Sequence, residues 1–281
     1  MKKFTHRKGL LVAMMSVIVL TGCDRNKDED RDITPRGIRI MNHTIFGEIL
    51  TDSVGRALYF FSRDADGNSA CSGNCLNNWP PYYSANAAEG EDIEDGDIGT
   101  ITRSDGTKQT TYKSWPLYYY ASDTDIGQIN GDKVGENWFV AKPDYSVMLV
   151  QNQLVGRNGD EYTEDLSPGQ GMTRYLADAY GRTLYGFSND KFNTNQFTMA
   201  DFSNNGVWPI YEEELQRVPS ILNPDDFAVI NVHGRNQLTY KGWPLYHFGQ
   251  DTQRGETKGV DVPSVGVWPV LKTDSPEAPA P

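Results

Sequence analysis

The chain has 281 residues, with 26 Lys+Arg against 38 Asp+Glu and a formal net charge of -12. Its 38% hydrophobic and 11% aromatic content suffices for one large or two small globular domains and is too high for a disordered chain. The acidity excludes the basic footprint of a nucleic-acid binder. Three cysteines exclude a disulfide-stapled miniprotein and a multi-cysteine zinc scaffold.

The first segment is an address. Lys2, Lys3, Arg7 and Lys8 precede an apolar run from Gly9 to Leu20. At about 1.5 Å per residue this run falls short of a roughly 30 Å hydrocarbon core, and it suits the apolar region of a signal peptide. Leu20-Thr21-Gly22-Cys23 is similar to the lipobox of bacterial lipoproteins, whose cysteine carries diacylglycerol and becomes the mature N-terminus. The resemblance implies removal of residues 1–22 and anchoring to a lipid membrane through acylated Cys23, two or three chains holding where one does not. The alternative is an ordinary signal peptide with an incidental cysteine. Cleavage takes four Lys/Arg and no acid, so 22 basic residues face 38 acidic ones and the mature charge is -16. Asp24 resembles the inner-membrane retention signal of enteric bacteria, or it is simply the first charge of a tether. Residues 23–36 are charged and almost free of apolar side chains, which predicts a disordered tether. Residues 273–281, ending DSPEAPAP, read as a disordered, solvated tail.

The body is duplicated. Residues 50–64, LTDSVGRALYFFSRD, match residues 176–190, LADAYGRTLYGFSND. Residues 106–123 carry GTKQTTY and then YKSWPLYYYASD, matching GRNQLTY and YKGWPLYHFGQD at 234–251. A shorter pattern, Leu-Tyr-x-aromatic-x-x-Asp, occurs four times, with Tyr59 and Asp64, Tyr118 and Asp123, Tyr185 and Asp190, and Tyr246 and Asp251. A tryptophan follows each Asp: Trp79, Trp138, Trp208 and Trp268. These repeats predict two domains of two related quarters each, at 37–151 and 172–272, joined by a Gly-rich polar connection at 152–171.

The local pattern is mostly strand. Period-2 alternation puts Tyr59 and Phe61 on one face and Leu58 and Phe60 on the other. Thr110, Thr111 and Tyr112 are strand formers after an Asp105-Gly106 turn. Five of six tryptophans precede a proline, a pairing that suits strand starts or edges. Residues 211–217 and 224–227 read as single helical turns. The fold expected is mainly β, two tandem small β-rich domains, with a four-bladed propeller-like arrangement as the alternative.

A tandem repeat with Tyr-x4-Asp motifs, a Cys-x3-Cys loop, G-x-x-Q-x-T-Y and W-P-L-Y behind a lipobox resembles the bacterial secreted-repeat lipoproteins, over about residues 48–272. The resemblance implies an envelope location and a repeat architecture, and no reaction. The second copy lacks the cysteine pair, so any role of that pair belongs to the first copy.

Cys71 and Cys75 are the remaining thiols and should form a disulfide outside the cytoplasm. The bridge closes a short loop and reads as a staple before Trp79, with a labile redox switch as the alternative. The Tyr-x4-Asp motif has two readings. Either the rings pack a sheet face and Asp caps the next turn, or four Tyr and four Asp line a cleft of hard oxygen ligands for iron or calcium. His247, standing where the first copy has Tyr119, would join such a site. Asp64 with Asp66, and Asp123 with Asp125, form acidic loops that are weakly calcium-like, but Cys75 stands where an EF-hand needs Glu. Solvated turns are the plainer reading, and no cofactor is expected. No nucleophile elbow, zinc-protease helix, phosphate loop or Rossmann fingerprint occurs. The expectation is a membrane-anchored, non-enzymatic envelope protein that binds an envelope protein or small ligand with aromatic-rich faces and binds no nucleic acid. An envelope redox or metal-handling accessory is the alternative.

Overall fold

The computed structural model describes residues 37–87 and 93–281. Residues 1–36, with the signal peptide, Cys23, Asp24 and the tether, lie outside the described residues. Among the described residues no helix is long and apolar enough to cross a membrane.

The architecture is mainly β. In chain order the strands are β1 (Ile38–His43), β2 (Gly47–Asp52), β3 (Tyr59–Phe61), β4 (Ile98–Thr102), β5 (Lys108–Tyr112), β6 (Trp115–Pro116), β7 (Trp138–Val140), β8 (Val147–Val155), β9 (Glu161–Tyr162), β10 (Met172–Asp178), β11 (Phe227–Val232), β12 (Arg235–Tyr240) and β13 (Trp243–Pro244). They form two- and three-stranded antiparallel sheets: β1-β2, β3-β7, β4-β5-β6, β10-β8-β9 and β11-β12-β13. No four-stranded propeller blade occurs among the described residues.

The duplication extends to individual hydrogen bonds. β2 and β10 each return to a short segment that follows a tight turn: Leu58 N–H donates to the Leu50 carbonyl, and Leu184 N–H to the Leu176 carbonyl, both at 3.0 Å. The Lys-x dipeptide before each W-P-L-Y run has positive φ at both residues, 46° and 63° at Lys113-Ser114 and 48° and 78° at Lys241-Gly242. This type I′ geometry folds β6 onto β5 and β13 onto β12, so each Trp-Pro pair forms a two-residue edge strand as its missing donor requires. The motif glutamines are buried structural pins. Gln109 Nε2 donates to the Leu117 carbonyl at 2.8 Å, and Gln237 Nε2 to the Leu245 carbonyl at 2.9 Å.

Three expectations are corrected. Residues 152–171 are not a connection: Val147–Val155 pairs with Met172–Asp178 as Ile38–His43 pairs with Gly47–Asp52. The second copy therefore begins at β8. The polar, Gly-rich stretch is the lengthened turn of its first hairpin, polar because it lies over solvent. Residues 211–217 carry no helical turn; Tyr211 N–H donates to the Leu245 carbonyl in an extended run. Residues 274–281 do not dangle, because their backbone is bonded to Lys241, Trp243 and Phe192.

Both faces of β3 are buried. Leu58 and Phe60 enter a large apolar core that also holds Tyr175, Tyr185, Trp208 and Trp268 of the second copy. Tyr59 and Phe61 enter a core of the first copy alone. The two copies thus share apolar interior, and the described residues fall within one compact unit.

Candidate functional site

Each copy is built on a reciprocal Tyr–Asp pair. Tyr59 and Tyr118 exchange backbone bonds, N–H to carbonyl, at 2.9 and 3.1 Å, which sets two quarters antiparallel. Tyr59 Oη then donates to Asp123 Oδ2 at 2.5 Å, and Tyr118 Oη to Asp64 Oδ2 at 2.7 Å. In the second copy Tyr185 and Tyr246 exchange the same backbone bonds. Tyr185 Oη donates to Asp251 Oδ2 at 2.5 Å and Tyr246 Oη to Asp190 Oδ2 at 2.8 Å. The other oxygen of each carboxylate caps the following loop, accepting from the N–H of Ala70, Asn130, Gln196 and Lys258 at 2.7–2.9 Å. Each motif Asp therefore bonds the tyrosine of the partner quarter, a pairing that sequence spacing does not contain.

Tryptophans close these units. Trp79 stacks on Trp138 and Trp208 on Trp268, each pair with ring centroids 3.7 Å apart. Tyr118 and Tyr246 meet Trp138 and Trp268 edge-on at 5.0 and 5.1 Å. Gly131 and Gly259 leave room for this stack: a Cβ on Gly259 would stand 2.7 Å from Trp208 Cη2 and 2.9 Å from the Tyr185 ring.

Burial governs the titration of the units. It pushes all four tyrosine hydroxyls well above their ordinary range, with the facing carboxylates adding to the shift, so the hydroxyls stay protonated and donate. It also raises the carboxyls of Asp64, Asp190 and Asp251 to about 7, against the opposing pull of the hydrogen bonds they accept.

The four pairs do not gather into one cleft. They lie in two clusters, one per copy, with their oxygens already bonded. Asp66 and Asp125 turn back on their own loops, accepting from Asn68 and from Gln128. His247 is buried, with Nε2 3.4 Å from Asp178 Oδ2 and its ring edge-on to Tyr211. Desolvation lowers its pKa below the usual 6.5. This pair repeats the first copy, where Tyr119 Oη donates to Asp52 Oδ2 at 2.9 Å. Among the described residues no three His, Cys, Asp or Glu side chains converge as a metal site.

Cys71 and Cys75 form a disulfide with Cα atoms 5.5 Å apart. The Cys71 carbonyl accepts from Arg103 Nη2 at 2.7 Å, and Arg103 Nη1 donates to Gln109 Oε1 at 2.7 Å. The bridge thus stitches the loop to the buried glutamine of β5. In the second copy Asn195 Nδ2 bonds Gln237 Oε1 at 2.8 Å, without cysteine or arginine.

One open cleft lies where the copies meet. It has a volume of about 300 Å³ and is walled by Tyr145, Tyr180 and Tyr211, with Asp144, Asp178 and Glu213 among its carboxylates and Lys113 at its side. Tyr145 and Tyr211 spend their hydroxyls on the Val140 and Ser146 carbonyls, at 2.8 and 2.6 Å. Tyr180 is 54% exposed, and its hydroxyl is shifted up first by burial and then by Asp97, Asp178, Glu94 and Glu213. Asp144 holds Arg217 through Oδ2, while its buried Oδ1 has no hydrogen-bond partner. This cleft is not legible in the sequence, because its residues come from four separated segments.

The family described as a secreted repeat of unknown function matches residues 44–82, 99–142 and 228–272. No curated protein and no solved structure matches the chain. The three matches hold three of the four motif copies, and the fourth, Tyr185 to Trp208, repeats their geometry with a longer loop and no cysteines. Three segments of the chain are thus repeats of this secreted-repeat family.

Proposed function

We propose that the chain is a lipid-anchored protein of the bacterial cell envelope, held by acylated Cys23, and that its duplicated body is a non-enzymatic binding module for a ligand bearing a positive charge. The carrying observation is the contrast between motif and cleft. The Tyr–Asp pairs, tryptophan stacks, disulfide and His247 spend their contacts within the protein and hold the scaffold. The seam cleft is open, aromatic-walled and acidic, with Asp178 and Glu213 among its lining carboxylates. Tyrosine faces attract an ammonium or guanidinium group, and surrounding carboxylates raise its local concentration. An open cleft of this volume admits a small organic cation or the side chain of a basic peptide.

The test uses the chain without residues 1–23, titrated with putrescine and with agmatine by calorimetry. Saturable binding is expected, weakened about tenfold or more by Tyr180→Ala and by Glu213→Gln. Absence of binding at millimolar ligand, or binding indifferent to both substitutions, refutes the cleft as the site. Metal analysis and a visible spectrum of the same preparation, with and without reductant, test the class of function. A stoichiometric metal or a haem band overturns the plain binding reading.

A further inference from the structure

Trp115 and Trp243 occupy one position in the two copies, and they are covered in different ways. Trp115 is buried under the second copy. Its indole N–H donates to the Ala179 carbonyl at 2.9 Å, and the Arg254 guanidinium lies 4.3 Å over its ring. Trp243 is covered by a segment outside the repeat. Its indole N–H donates instead to the Pro276 carbonyl, also at 2.9 Å. The segment around Pro276 is fastened on both sides. Lys241 Nζ donates to the Thr273 and Ser275 carbonyls, Ala278 N–H to the Lys241 carbonyl, and Phe192 N–H to the Pro279 carbonyl. Residues 273–279 thus take, over Trp243, the place that the second copy takes over Trp115. They cover the face incompletely, leaving a groove of about 270 Å³ beside Trp243 lined by Leu166, Val270, Leu271 and Pro276.

The complementary face is also present twice. Over Trp115 the second copy meets the first through the turn after β10 and through Arg254. In the first copy the positions of Tyr180, Gly181 and Arg254 are held by Val54, Gly55 and Ile126. There they face outward: Val54 is 39% and Ile126 68% exposed. They adjoin each other, since a Cβ on Gly55 would lie 3.0 Å from Ile126 Cγ2. The change from arginine to isoleucine fits the receiving side. In the first copy the Ser114 carbonyl takes a bond from Arg254. Its counterpart, the Gly242 carbonyl, is already satisfied by Asn193 N–H at 2.7 Å. An apolar residue meets that satisfied surface without leaving a buried acceptor unpaired.

We propose that the Trp243 face is a docking surface for the Val54–Ile126 face of a second copy of this chain, and that residues 274–281 are the stopper that closes it. The contact is heterologous, so each molecule that docks presents a fresh face and the assembly grows head to tail. A cap over an exposed repeat face is what keeps repeat arrays finite.

The experiment removes residues 274–281 from the chain lacking residues 1–23 and follows sedimentation velocity over a range of concentrations. The expected result is a monomeric parent and an open-ended series of species for the shortened chain. Ile126→Glu in the shortened chain should return it to monomer, and an excess of the peptide DSPEAPAP should dissolve the series. The full-length variant Ala278→Asp, which lifts the end of the stopper from its buried seat, should assemble as well. The proposal is overturned by a shortened chain that stays monomeric with native near-ultraviolet circular dichroism, or by assembly indifferent to Ile126→Glu. Loss of native dichroism on shortening also overturns it, because the segment is then part of the fold.

Discussion

A carboxyl group buried against a tyrosine gains two hydrogen bonds and loses its hydration, and the balance decides its charge. In Asp64, Asp190 and Asp251 desolvation outweighs the bonds from tyrosine hydroxyl and backbone N–H, and the carboxyl titrates near 7 instead of 3.8. The folded state therefore binds more protons than the unfolded state between those values, so stability falls as pH rises through that window. His247 acts the other way. Its folded pKa is depressed, so its contribution is present above the unfolded value of 6.5 and is lost as pH falls below it. Three groups oppose one, and the net slope follows the carboxyls. The melting temperature of the chain without residues 1–23 should be higher at pH 5 than at pH 7.5 by at least roughly 2–4 °C, the shift that about 1 kcal/mol produces at this size. Asp190→Asn should flatten the slope whatever it does to the absolute value. A melting temperature that rises steadily from pH 5 to 7.5 would show that these carboxyls are ionised throughout.

At the scale of the element, the quarter is a short strand carrying a tyrosine, a capped loop and a tryptophan, and it is complete only against its partner. The stacked tryptophans fill the space that Gly131 and Gly259 leave open, and neither glycine has the positive φ that would make it necessary for the backbone. The requirement at these positions is steric. Gly259→Ala and Gly131→Ala should each cost about 1–3 kcal/mol through overpacking, measured by urea unfolding, with a loss of near-ultraviolet dichroism from the displaced indoles. A neutral Gly259→Ala would show that the stack has slack. Much of this element was legible in the sequence. The fourfold motif, the two faces of β3 and the edge placement of two of the five Trp-Pro pairs, at Trp115 and Trp243, follow from spacing and period, because those are local properties. The crossed Tyr–Asp bonds were not, because identical motifs do not say which Asp serves which Tyr. Residues 152–171 misled for a related reason. A long surface hairpin turn and an interdomain connection share one composition, and only the pairing of β8 with β10 separates them. The same holds for DSPEAPAP, whose polar and proline content hides the backbone bonds that seat it.

For the whole molecule, two related modules are held together by contacts that duplication did not supply. Sequence repeats announce the modules, but the seam depends on where the copies differ. Arg254 is the clearest case, standing where the first copy has Ile126. It is drawn out of water by the packing of the copies, which lowers its pKa to about 10 and still leaves it charged at neutral pH. Its fork reaches across the seam. Nε donates to the Ala65 carbonyl at 2.8 Å, Nη2 to the Asp64 carbonyl at 3.4 Å and Nη1 to the Ser114 carbonyl, while the plane covers Trp115. One side chain therefore ties the loop after a motif Asp to the turn before W-P-L-Y, both in the first copy, from a loop of the second. Arg254→Ala leaves these carbonyls without their donor at the seam and should cost about 1–3 kcal/mol in urea unfolding, with a red shift of tryptophan emission as Trp115 gains solvent. Arg254→Lys should recover little of it, since an ammonium on a flexible stem neither forks to three carbonyls nor stacks flat on an indole. Full recovery by lysine would mean that charge alone holds the seam, and the geometry of the fork would then be incidental.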